Sequence, residues 1–329
     1  MALLDDHRDK LNGGPGIHAF IAGVSDYRHL GGGSDTAAKE TYNFQALKST
    51  ARTAWLFYDW LKKADDAKRL PLPLATVHLL LSPSKSEPEL AAVGADRCSW
   101  QNFADDADSW RTCASASNDD MALFYFAGHG IDRNAQESLL LMDDVGAKGG
   151  VFLNRAVDVL HLWAGMAPQP DAAKSIARKQ FYFIDACRTP ISELRNFKME
   201  GIPGLWDIPL DSNDDRAAPI FYGAVPGAAA YASNETQTLF SKALLDCFDR
   251  LGAEEPEVGD PDERWRVTVT SLTRRLPDAI TDVRNQFKVA QDWAPGGLPK
   301  EATFVFLNDR PLTTVTMSID PPEAMEFFR

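Results

Sequence analysis

The sequence contains few cysteines and no long apolar segment. Its 329 residues include only Cys98, Cys113, Cys187 and Cys247, and no two of them have the CxxC spacing of a redox or zinc site. No stretch approaches the roughly 20 apolar residues of a membrane-spanning helix, and the N-terminal residues lack the apolar core of a signal peptide. These absences argue against a disulfide framework, a zinc module and a membrane anchor. We therefore expect reduced thiols and a cytoplasmic protein.

Basic residues are also scarce. The chain has 34 Lys and Arg against 47 Asp and Glu, which gives a formal net charge of −13 and a pI of about 4.9. Binding to nucleic acid or to an anionic membrane needs concentrated positive charge, so neither is an expected partner. A negative surface favours basic ligands, including peptides rich in Lys or Arg, although solubility alone also explains such a charge.

Short apolar runs alternate with amphipathic segments along most of the chain. The runs have the composition of strands that are buried on both faces, and the amphipathic segments have helical spacing. This alternation predicts an α/β domain with a mostly parallel sheet covered on both sides. The predicted strands are residues 18–24, 75–81, 121–127, 138–142, 179–185, 219–224 and 303–307, and the predicted helices are residues 44–63, 101–113, 154–164, 239–251 and 267–287, the last interrupted at Pro277.

Two segments place reactive side chains directly after predicted strands. FYFAGHG ends with His129 between two glycines, and FYFIDACR carries Cys187. Functional groups collect at the carboxyl ends of parallel strands, and neighbouring strands lie about 4.8 Å apart. Both side chains could therefore reach one substrate atom. The ordinary alternatives are a buried core thiol and a turn histidine, but the charged neighbours Asp185 and Arg188 and the flanking glycines argue against them.

A histidine beside a cysteine is the arrangement that nucleophilic catalysis needs. A thiol becomes an effective nucleophile when a base takes its proton, and His129 could supply that base and then protonate the leaving amine. The backbone N–H groups of Gly130 and Cys187 are candidate donors to the developing oxyanion. The predicted catalytic residues are therefore His129 and Cys187, and no cofactor is required.

Together the two segments resemble the catalytic signatures of the caspase-like fold, which caspases, metacaspases and paracaspases share. His129 and Cys187 are 58 positions apart, near the spacing of about 50 that is typical of caspases. Residues 186–188 match the caspase pattern, whereas Asp185 is similar to the residue that metacaspases have at this position. The resemblance implies a three-layer sandwich with a mostly parallel central sheet of about six strands. It implies one peptidase domain, residues 1–309, followed by a tail, residues 310–329, of unknown role.

The resemblance also implies how a peptide substrate would bind. In metacaspases the Asp that matches Asp185 lines the pocket for the residue before the cleaved bond, which implies cleavage after Arg or Lys. The family's first helix usually carries a supporting Asp, and Thr53 stands in its place here. An extended peptide would add a strand beside a short segment of the sheet edge. That segment consists of Phe221, Tyr222, Gly223 and Ala224.

Residues 188–216 are rich in Pro, Asp and Asn, and they lie where caspases have their activation linker. Long irregular connections are usually functional or mobile. We therefore expect a zymogen that is cut in this segment or rearranged there by an upstream activator. The candidate cut points for a protease that prefers basic residues are Arg188, Arg195, Lys198 and Arg216.

The resemblance has three further implications. Asp143 and Asp144 are candidate ligands for calcium of the kind that some metacaspases bind, with a solvated strand end as the simpler interpretation. Caspases dimerise through their last strand, here residues 303–307, whereas metacaspases are usually monomeric, and we expect a monomer. Prokaryotic relatives of this type often act in stress death or antiviral defence.

Two other functions are consistent with the sequence. A caspase-like domain can serve as a catalytically silent scaffold or sensor, which the loss of His129 or Cys187 would indicate, but both residues are present. A different Cys/His acyl-transfer enzyme, such as an amidase or a transpeptidase, has the same dyad, and fold alone does not separate it from a peptidase. The sequence has no recognisable second substrate-binding domain, which favours a peptide substrate.

Overall fold

A mostly parallel seven-stranded sheet forms the middle of the molecule. The computed structural model describes residues 3–132, 137–148, 151–168, 175–191, 204–206, 214–228, 232–233 (backbone only), 236–256, 258–260 and 262–311. In chain order the strands are β1 (Leu3–Asp6), β2 (Ile17–Val24), β3 (Leu74–Ser82), β4 (Met121–Gly128), β5 (Gly130–Asp132), β6 (Ser138–Leu141), β7 (Ala156–Asp158), β8 (Lys179–Ala186), β9 (Thr189–Pro190), β10 (Ala218–Tyr222), β11 (Ala232–Ser233), β12 (Gln237–Thr238), β13 (Arg266–Thr268), β14 (Ala294–Leu298) and β15 (Thr303–Phe306).

Helices connect most of the central strands. A π-helical turn, Cys247–Leu251, extends the fourth α-helix, so the predicted helix at 239–251 consists of two parts. Within the described residues, no helix is both long and apolar enough to cross a membrane. In chain order the α-helices are α1 (Thr50–Asp66), α2 (Trp100–Ala114), α3 (Val159–Gly165), α4 (Leu239–Asp246) and α5 (Val269–Phe287), and 3-10 turns occur at Arg8–Leu11, Pro88–Ala92 and Phe152–Arg155.

The strand order across the central sheet is β1-β3-β2-β4-β8-β10-β14. The five inner strands run parallel, and the antiparallel strands β1 and β14 close the two edges. The inner strands are almost wholly buried, as their continuous apolar runs predicted. The sequence did not predict the edge strands, because β1 ends in two aspartates and β14 has the sequence APGGL. Pro and Gly are typical of strand edges and not of strand interiors.

Helices cover both faces of the sheet. Helices α1, α4 and α5 pack on one face, where they meet Phe181 and Phe183 of β8. Helices α2 and α3 pack on the other face, against Tyr182 and Ile184 of the same strand. Side chains alternate across a strand, so each inner strand contributes to both cores. The molecule is therefore a three-layer α/β sandwich with a mostly parallel sheet, as predicted.

A second, four-stranded sheet has the order β7-β6-β5-β9. The chain leaves β4 at Gly128, passes His129 and continues as β5, which pairs in parallel with β9. Strand β9 begins at Thr189, shortly after Cys187. The small sheet therefore joins the residues that follow His129 to the residues that follow Cys187.

Three predicted helices begin later in the structure than in the prediction. The helix predicted for residues 44–63 begins at Thr50. Leu47 lies in the loop before α1 and packs against the α2/α3 core. Its apolar side chain continues the helical spacing, so the prediction placed the start of the helix too early. The helix predicted for residues 154–164 is instead the end of a 3-10 turn, then β7, then α3.

The predicted helix at residues 267–287 contains strand β13 before α5 begins. Pro277 lies inside α5 and does not end it. Proline removes one helical hydrogen bond and crowds the preceding turn. The buried stripe that contains Leu272, Leu276 and Ile280 continues on both sides of this position, so packing against the core keeps the helix continuous.

The expected dimer strand is not at the edge of the central sheet. Strand β15 pairs with β13 in a separate two-stranded sheet, whereas β14 forms the edge beside β10. The strand predicted for residues 303–307 is confirmed as β15, but the edge of the central sheet is formed by β14, which the sequence did not predict. Of the tail, the structure describes only Arg310 and Pro311, so its role stays open.

Replacing Gly23 should separate α1 from the sheet. A Cβ atom at Gly23 would lie 2.5 Å from Cβ of Ala54 and 2.9 Å from Cα of Ala51, both in α1. Gly23→Ala should therefore lower the free energy of unfolding by about 1–3 kcal/mol, the usual cost of overpacking a core. Chemical denaturation measures this change, and an unchanged stability would show that α1 does not lie against β2 at this point.

Candidate active site

The pairing register places His129 and Cys187 side by side. Strands β4 and β8 are adjacent and parallel, and their last paired residues are Gly128 and Ala186. His129 and Cys187 follow these residues directly, so both leave the sheet at the same edge. Neighbouring strands lie about 4.8 Å apart. The structure therefore brings the two predicted catalytic residues together at adjacent strand ends.

The loop between β2 and α1 holds His129 from two sides. The backbone N–H of His129 donates to the hydroxyl of Tyr27 over 2.5 Å, and Nε2 lies 2.7 Å from the backbone carbonyl oxygen of Gln45. The rings of Tyr27 and Phe44 have their centroids 4.6 Å and 4.8 Å from that of the imidazole. A carbonyl oxygen can only accept, so Nε2 carries the proton and Nδ1 keeps its lone pair.

Burial sets the charge of this histidine. It lowers the pKa of His129 to about 4, and the hydrogen bond to Gln45 opposes the shift only in part. The imidazole is therefore neutral at pH 7. A neutral imidazole with a lone pair on Nδ1 can take a proton from a thiol, which is the role that the sequence predicted for it.

The residues that hold His129 were not predicted from the sequence. Gln45 contacts the histidine across 84 positions of the chain, through a backbone atom that any residue would supply. Tyr42 and Asn43 have φ angles of 50° and 64°, a conformation that is uncommon for residues other than glycine. These two residues directly precede Phe44 and Gln45. Strained backbone of this kind is a structural marker of functional sites that a single sequence does not display.

Cys187 differs from the other three cysteines in its exposure. Cys98, Cys113 and Cys247 are buried, whereas Cys187 is partly exposed, and none of the four forms a disulfide. Burial raises the pKa of the Cys98 thiol well above its usual value and that of Cys247 to about 12. Buried thiols of this kind are inert. The accessible thiol is the one beside the histidine.

Gly130 lies against the chain at Cys187. A Cβ atom at this position would be 2.5 Å from the carbonyl oxygen of Cys187 and 2.9 Å from Cβ of Ala186. Only glycine allows this approach. The N–H of His129 already donates to Tyr27, so it is engaged elsewhere. The N–H groups of Gly130 and Cys187 remain the predicted oxyanion donors.

Asp185 is a buried carboxylate with one unsatisfied oxygen. It is 1% exposed, and its Oδ2 accepts hydrogen bonds from the hydroxyl of Tyr125 over 3.0 Å and from the hydroxyl of Thr238. Its Oδ1 is buried without a hydrogen-bond partner. Burial raises the pKa of Asp185 to about 6, although the hydrogen bonds from Thr238 and Tyr125 act in the opposite direction. A buried acceptor that lacks a donor is costly and is typical of a site that receives one from a ligand.

Thr53 lies one contact away from Asp185. Its Oγ1 accepts a hydrogen bond from the backbone N–H of Thr238 over 3.1 Å and donates to the carbonyl oxygen of Ser49 over 2.8 Å. Thr53 therefore positions Thr238, which in turn contacts the carboxylate. It does not replace the missing Asp as a second charge.

The predicted substrate edge is occupied. Strand β14 pairs with β10, with Phe221 opposite Pro295 and Tyr222 opposite Ala294. The carbonyl of Gly223 accepts from Gln291, and Ala224 is buried. The prediction that a peptide pairs with residues 221–224 was therefore wrong for Phe221 and Tyr222, because the chain's own edge strand already pairs with them.

Two of the predicted cut points are inaccessible. Arg188 is 5% exposed and Arg216 is 0% exposed. Arg216 donates to Asp214 over 2.7 Å and to the side chain of Gln180 over 2.8 Å. Proteases need an extended, exposed segment, so these two predictions were wrong. Arg195 and Lys198 lie outside the described residues.

The predicted calcium ligands are engaged by arginines. Asp143 is wholly buried, with Arg97 at 2.7 Å and Arg28 at 3.3 Å. Asp144 accepts from the N–H of Trp100 over 2.9 Å. Neither carboxylate is at a solvated strand end, and two arginines beside Asp143 leave no place for a cation. Among the described residues, no group of three or more His, Cys, Asp or Glu could hold a metal ion. The residues do not fit calcium here.

A cysteine and a histidine at adjacent strand ends of a three-layer α/β sandwich are consistent with an enzyme that acts through a thiol nucleophile. A family model described as "Caspase domain" matches residues 66–288, which include both His129 and Cys187. The chain belongs to the caspase domain family, whose members are cysteine peptidases that act on proteins or peptides.

The chain is also similar to two solved structures. One is protein GSU0716 from Geobacter sulfurreducens, with 13% identity, a TM-score of 0.44 and coverage of 90% of this chain and 96% of that chain. The other is caspase-1 from Spodoptera frugiperda, with 14% identity, a TM-score of 0.42 and coverage of 94% of each chain. No curated protein sequence matches the chain.

Gly130→Ala should suppress the reaction of the Cys187 thiol. The added Cβ would displace β5 from the carbonyl of Cys187, which it would otherwise approach to 2.5 Å. A misplacement of about 1 Å can cost on the order of 100-fold in rate. We expect such a loss in the rate at which iodoacetamide alkylates Cys187, measured by mass spectrometry. Gly14→Ala is the control, because its Cβ would meet only the Leu11 carbonyl, at 3.1 Å. Equal rates in both variants would contradict the close approach.

Asp185→Asn should stabilise the protein at neutral pH. The pKa of Asp185 is about 6 in the folded chain and 3.8 when unperturbed, so folding disfavours its charged form. The variant should gain about 1–3 kcal/mol at pH 7. The gain should shrink as the pH falls from 6 to below 4, because the native carboxyl binds its proton first. Denaturation at several pH values measures this.

Asp6→Asn provides a control of opposite sign for that experiment. The hydrogen bond from Arg8 holds the pKa of the Asp6 carboxyl at about 2. Its charged form favours folding, so its removal should lower the stability at pH 7 and not raise it. A loss of stability in Asp185→Asn at pH 7 would contradict the view that Asp185 is buried at a cost.

Proposed function

We propose that the protein is a cysteine endopeptidase that uses Cys187 as nucleophile and His129 as base and cleaves after a basic residue. The observation that carries the proposal is the shared register of β4 and β8, which ends at Gly128 and Ala186. It is supported by the contact between Nε2 of His129 and Gln45, which leaves Nδ1 as the basic atom.

The chemistry follows from these groups. Sγ of Cys187 attacks the carbonyl carbon of the substrate while His129 takes the thiol proton. The oxyanion receives hydrogen bonds from the N–H groups of Gly130 and Cys187. His129 then gives the proton to the leaving amine, and a thioester remains on Cys187. Water, deprotonated by His129, hydrolyses the thioester and restores the thiol. No metal or cofactor takes part in this scheme.

Asp185 supports a preference for Arg or Lys before the cleaved bond. Its Oδ1 is buried without a donor, and a guanidinium or ammonium group would supply one together with a compensating charge. Desolvated carboxylates gain more from such a partner than exposed ones do. The net charge of −13 favours the approach of basic peptides.

The buried state of Asp185 supports regulation as a zymogen. The carboxylate is 1% exposed, so the residues that cover it must move before a substrate side chain can reach Oδ1. An upstream activator or a cut within residues 188–216 would cause that movement. The ends of this segment are held by Arg188 and Arg216, so a cut near Arg195 or Lys198 would leave both ends attached.

The segment between β10 and β12 is the better candidate for substrate pairing. The N–H of Arg188 donates to the carbonyl of Ala228 over 2.9 Å, so this segment passes beside the residue after Cys187. It continues as β11, which pairs with β12, and β12 ends at Thr238 beside Asp185. An extended peptide along β11 would therefore reach both the thiol and the pocket.

We further propose that the protein is a cytoplasmic monomer.

A peptide library varied at the residue before the cleaved bond tests this function. Wild-type protein should cut after Arg or Lys, and Cys187→Ala and His129→Ala should not cut. The acid limb of kcat/KM should lie near pH 6, because the pKa of Asp185 is about 6 and its charged form binds the substrate. Asp185→Asn should lower kcat/KM for Arg substrates by about 100-fold, as expected for the loss of one member of a buried charge pair.

Cys247→Ala is the matched control, because it removes a buried thiol in the core on the α1/α4/α5 face of the sheet and should leave cleavage unchanged. Cutting that depends on Cys187 but follows an uncharged residue would keep the peptidase and reject the Asp185 pocket. No cutting, before or after limited proteolysis of residues 188–216, would contradict the proposal and favour a scaffold role.

A further inference from the structure

Arg188 is a buried arginine beside the nucleophile that the proposed chemistry does not use. It follows Cys187 directly and is 5% exposed. A buried guanidinium is costly unless its N–H groups are satisfied. Its partners are therefore informative about what the residue does.

The first partners lie in the hairpin that follows His129. Nε of Arg188 is 3.2 Å from Oδ1 of Asp132 in β5 and 3.0 Å from the hydroxyl of Ser138 in β6. The Ser138 hydroxyl donates to the same Asp132 oxygen over 2.5 Å. The backbones of the two segments also pair, with Ile131 opposite Thr189. The side chain of Arg188 thus connects the chain after the nucleophile to the chain after the base.

The second set of partners lies on and after β10. The guanidinium lies over the ring of Tyr222, 4.4 Å from its centroid. The backbone of Arg188 donates to Ala228 over 2.9 Å and accepts from Gly227 over 2.7 Å. Arg188 therefore contacts three separate parts of the chain around the thiol.

We propose that Arg188 is a positioning residue, whose contacts with Asp132, Ser138 and Tyr222 fix the Cys187 thiol against the His129 imidazole. The inference rests on the proposed dyad. The two strand ends alone fix only the Cα positions of these residues, because each lies one residue beyond the last paired position. The contacts of Arg188 hold the residues that follow His129 and Cys187. They therefore restrict the backbone conformations of both segments.

Lysine should not replace arginine here. The planar guanidinium donates from Nε to two acceptors and presents a flat face to Tyr222, whereas an ammonium group is a compact, strongly hydrated charge. Arg188→Lys keeps the charge but loses this geometry. Asp132→Asn removes the ionic partner from the other side at constant size. Both variants should make the position of the Cys187 thiol relative to the His129 imidazole less fixed.

The test is the pH dependence of Cys187 alkylation by iodoacetamide, measured by mass spectrometry. In the wild type, His129 should sustain the reaction below the pKa of about 8.5 of a free thiol. In Arg188→Lys the rate at pH 7 should fall at least about 10-fold, consistent with the sensitivity of such geometry. The midpoint should also move toward that of a free thiol. Asp132→Asn should change the rate and the midpoint in the same directions. If Arg188→Lys does not fold, Asp132→Asn tests the proposal in its place.

Arg216→Lys is the matched control. Arg216 is also buried, contacts a carboxylate over 2.7 Å and lies over a ring, that of Trp163, 4.6 Å from its centroid. It precedes β10 at the opposite end of the sheet. This variant should lower the thermal stability as Arg188→Lys does, but leave the alkylation profile within about twofold of the wild type.

Three results would overturn the inference, and they differ from one another. Wild-type profiles in both Arg188→Lys and Asp132→Asn would show that the contacts do not position the thiol. An equal loss in Arg216→Lys would show a general effect on stability. A wild-type protein whose Cys187 reacts only as a free thiol would show that the dyad itself is wrong, and with it the proposed function.

Discussion

The parallel register between β4 and β8 is the constraint on which the site depends. It ends with Gly128 opposite Ala186, so His129 and Cys187 leave the sheet together. The register is itself held by burial, because both strands are apolar on two faces and a one-residue slip would move every side chain to the wrong core. The relative position of His129 and Cys187 is thus a consequence of hydrophobic packing within the sheet.

Burial near the site shifts two groups in opposite directions. It lowers the pKa of His129 to about 4 and raises that of Asp185 to about 6. In both cases the neutral form is favoured, and each shift costs folding free energy at some pH. In the proposed reaction the neutral histidine serves as the base, and the partly satisfied carboxylate receives a cationic side chain. Stability given up at such positions is common where a site must remain reactive.

The sequence predicted what depends on continuous patterns. The inner strands were recognised because they are apolar throughout, and His129 and Cys187 because they stand between small or charged residues after such strands. Contacts between distant segments were beyond its reach. Gln45 acts through a backbone carbonyl, which any residue would supply. Arg188 was predicted as a cut point because the neighbouring residues do not indicate that its side chain is buried. Strand β14 has a turn-like sequence and pairs only because β10 offers it an edge.

In the proposed reaction one thiol, activated by one histidine, attacks the carbonyl of a peptide that is bound through Asp185. Labelling with a peptidyl acyloxymethyl ketone that ends in Arg tests it directly, because the reagent reacts with a nucleophile only after its peptide part has bound. We expect a single adduct on Cys187, which His129→Ala prevents and which a reagent ending in Asp does not form. Adducts on Cys98, Cys113 or Cys247, or undiminished labelling of His129→Ala, would contradict it.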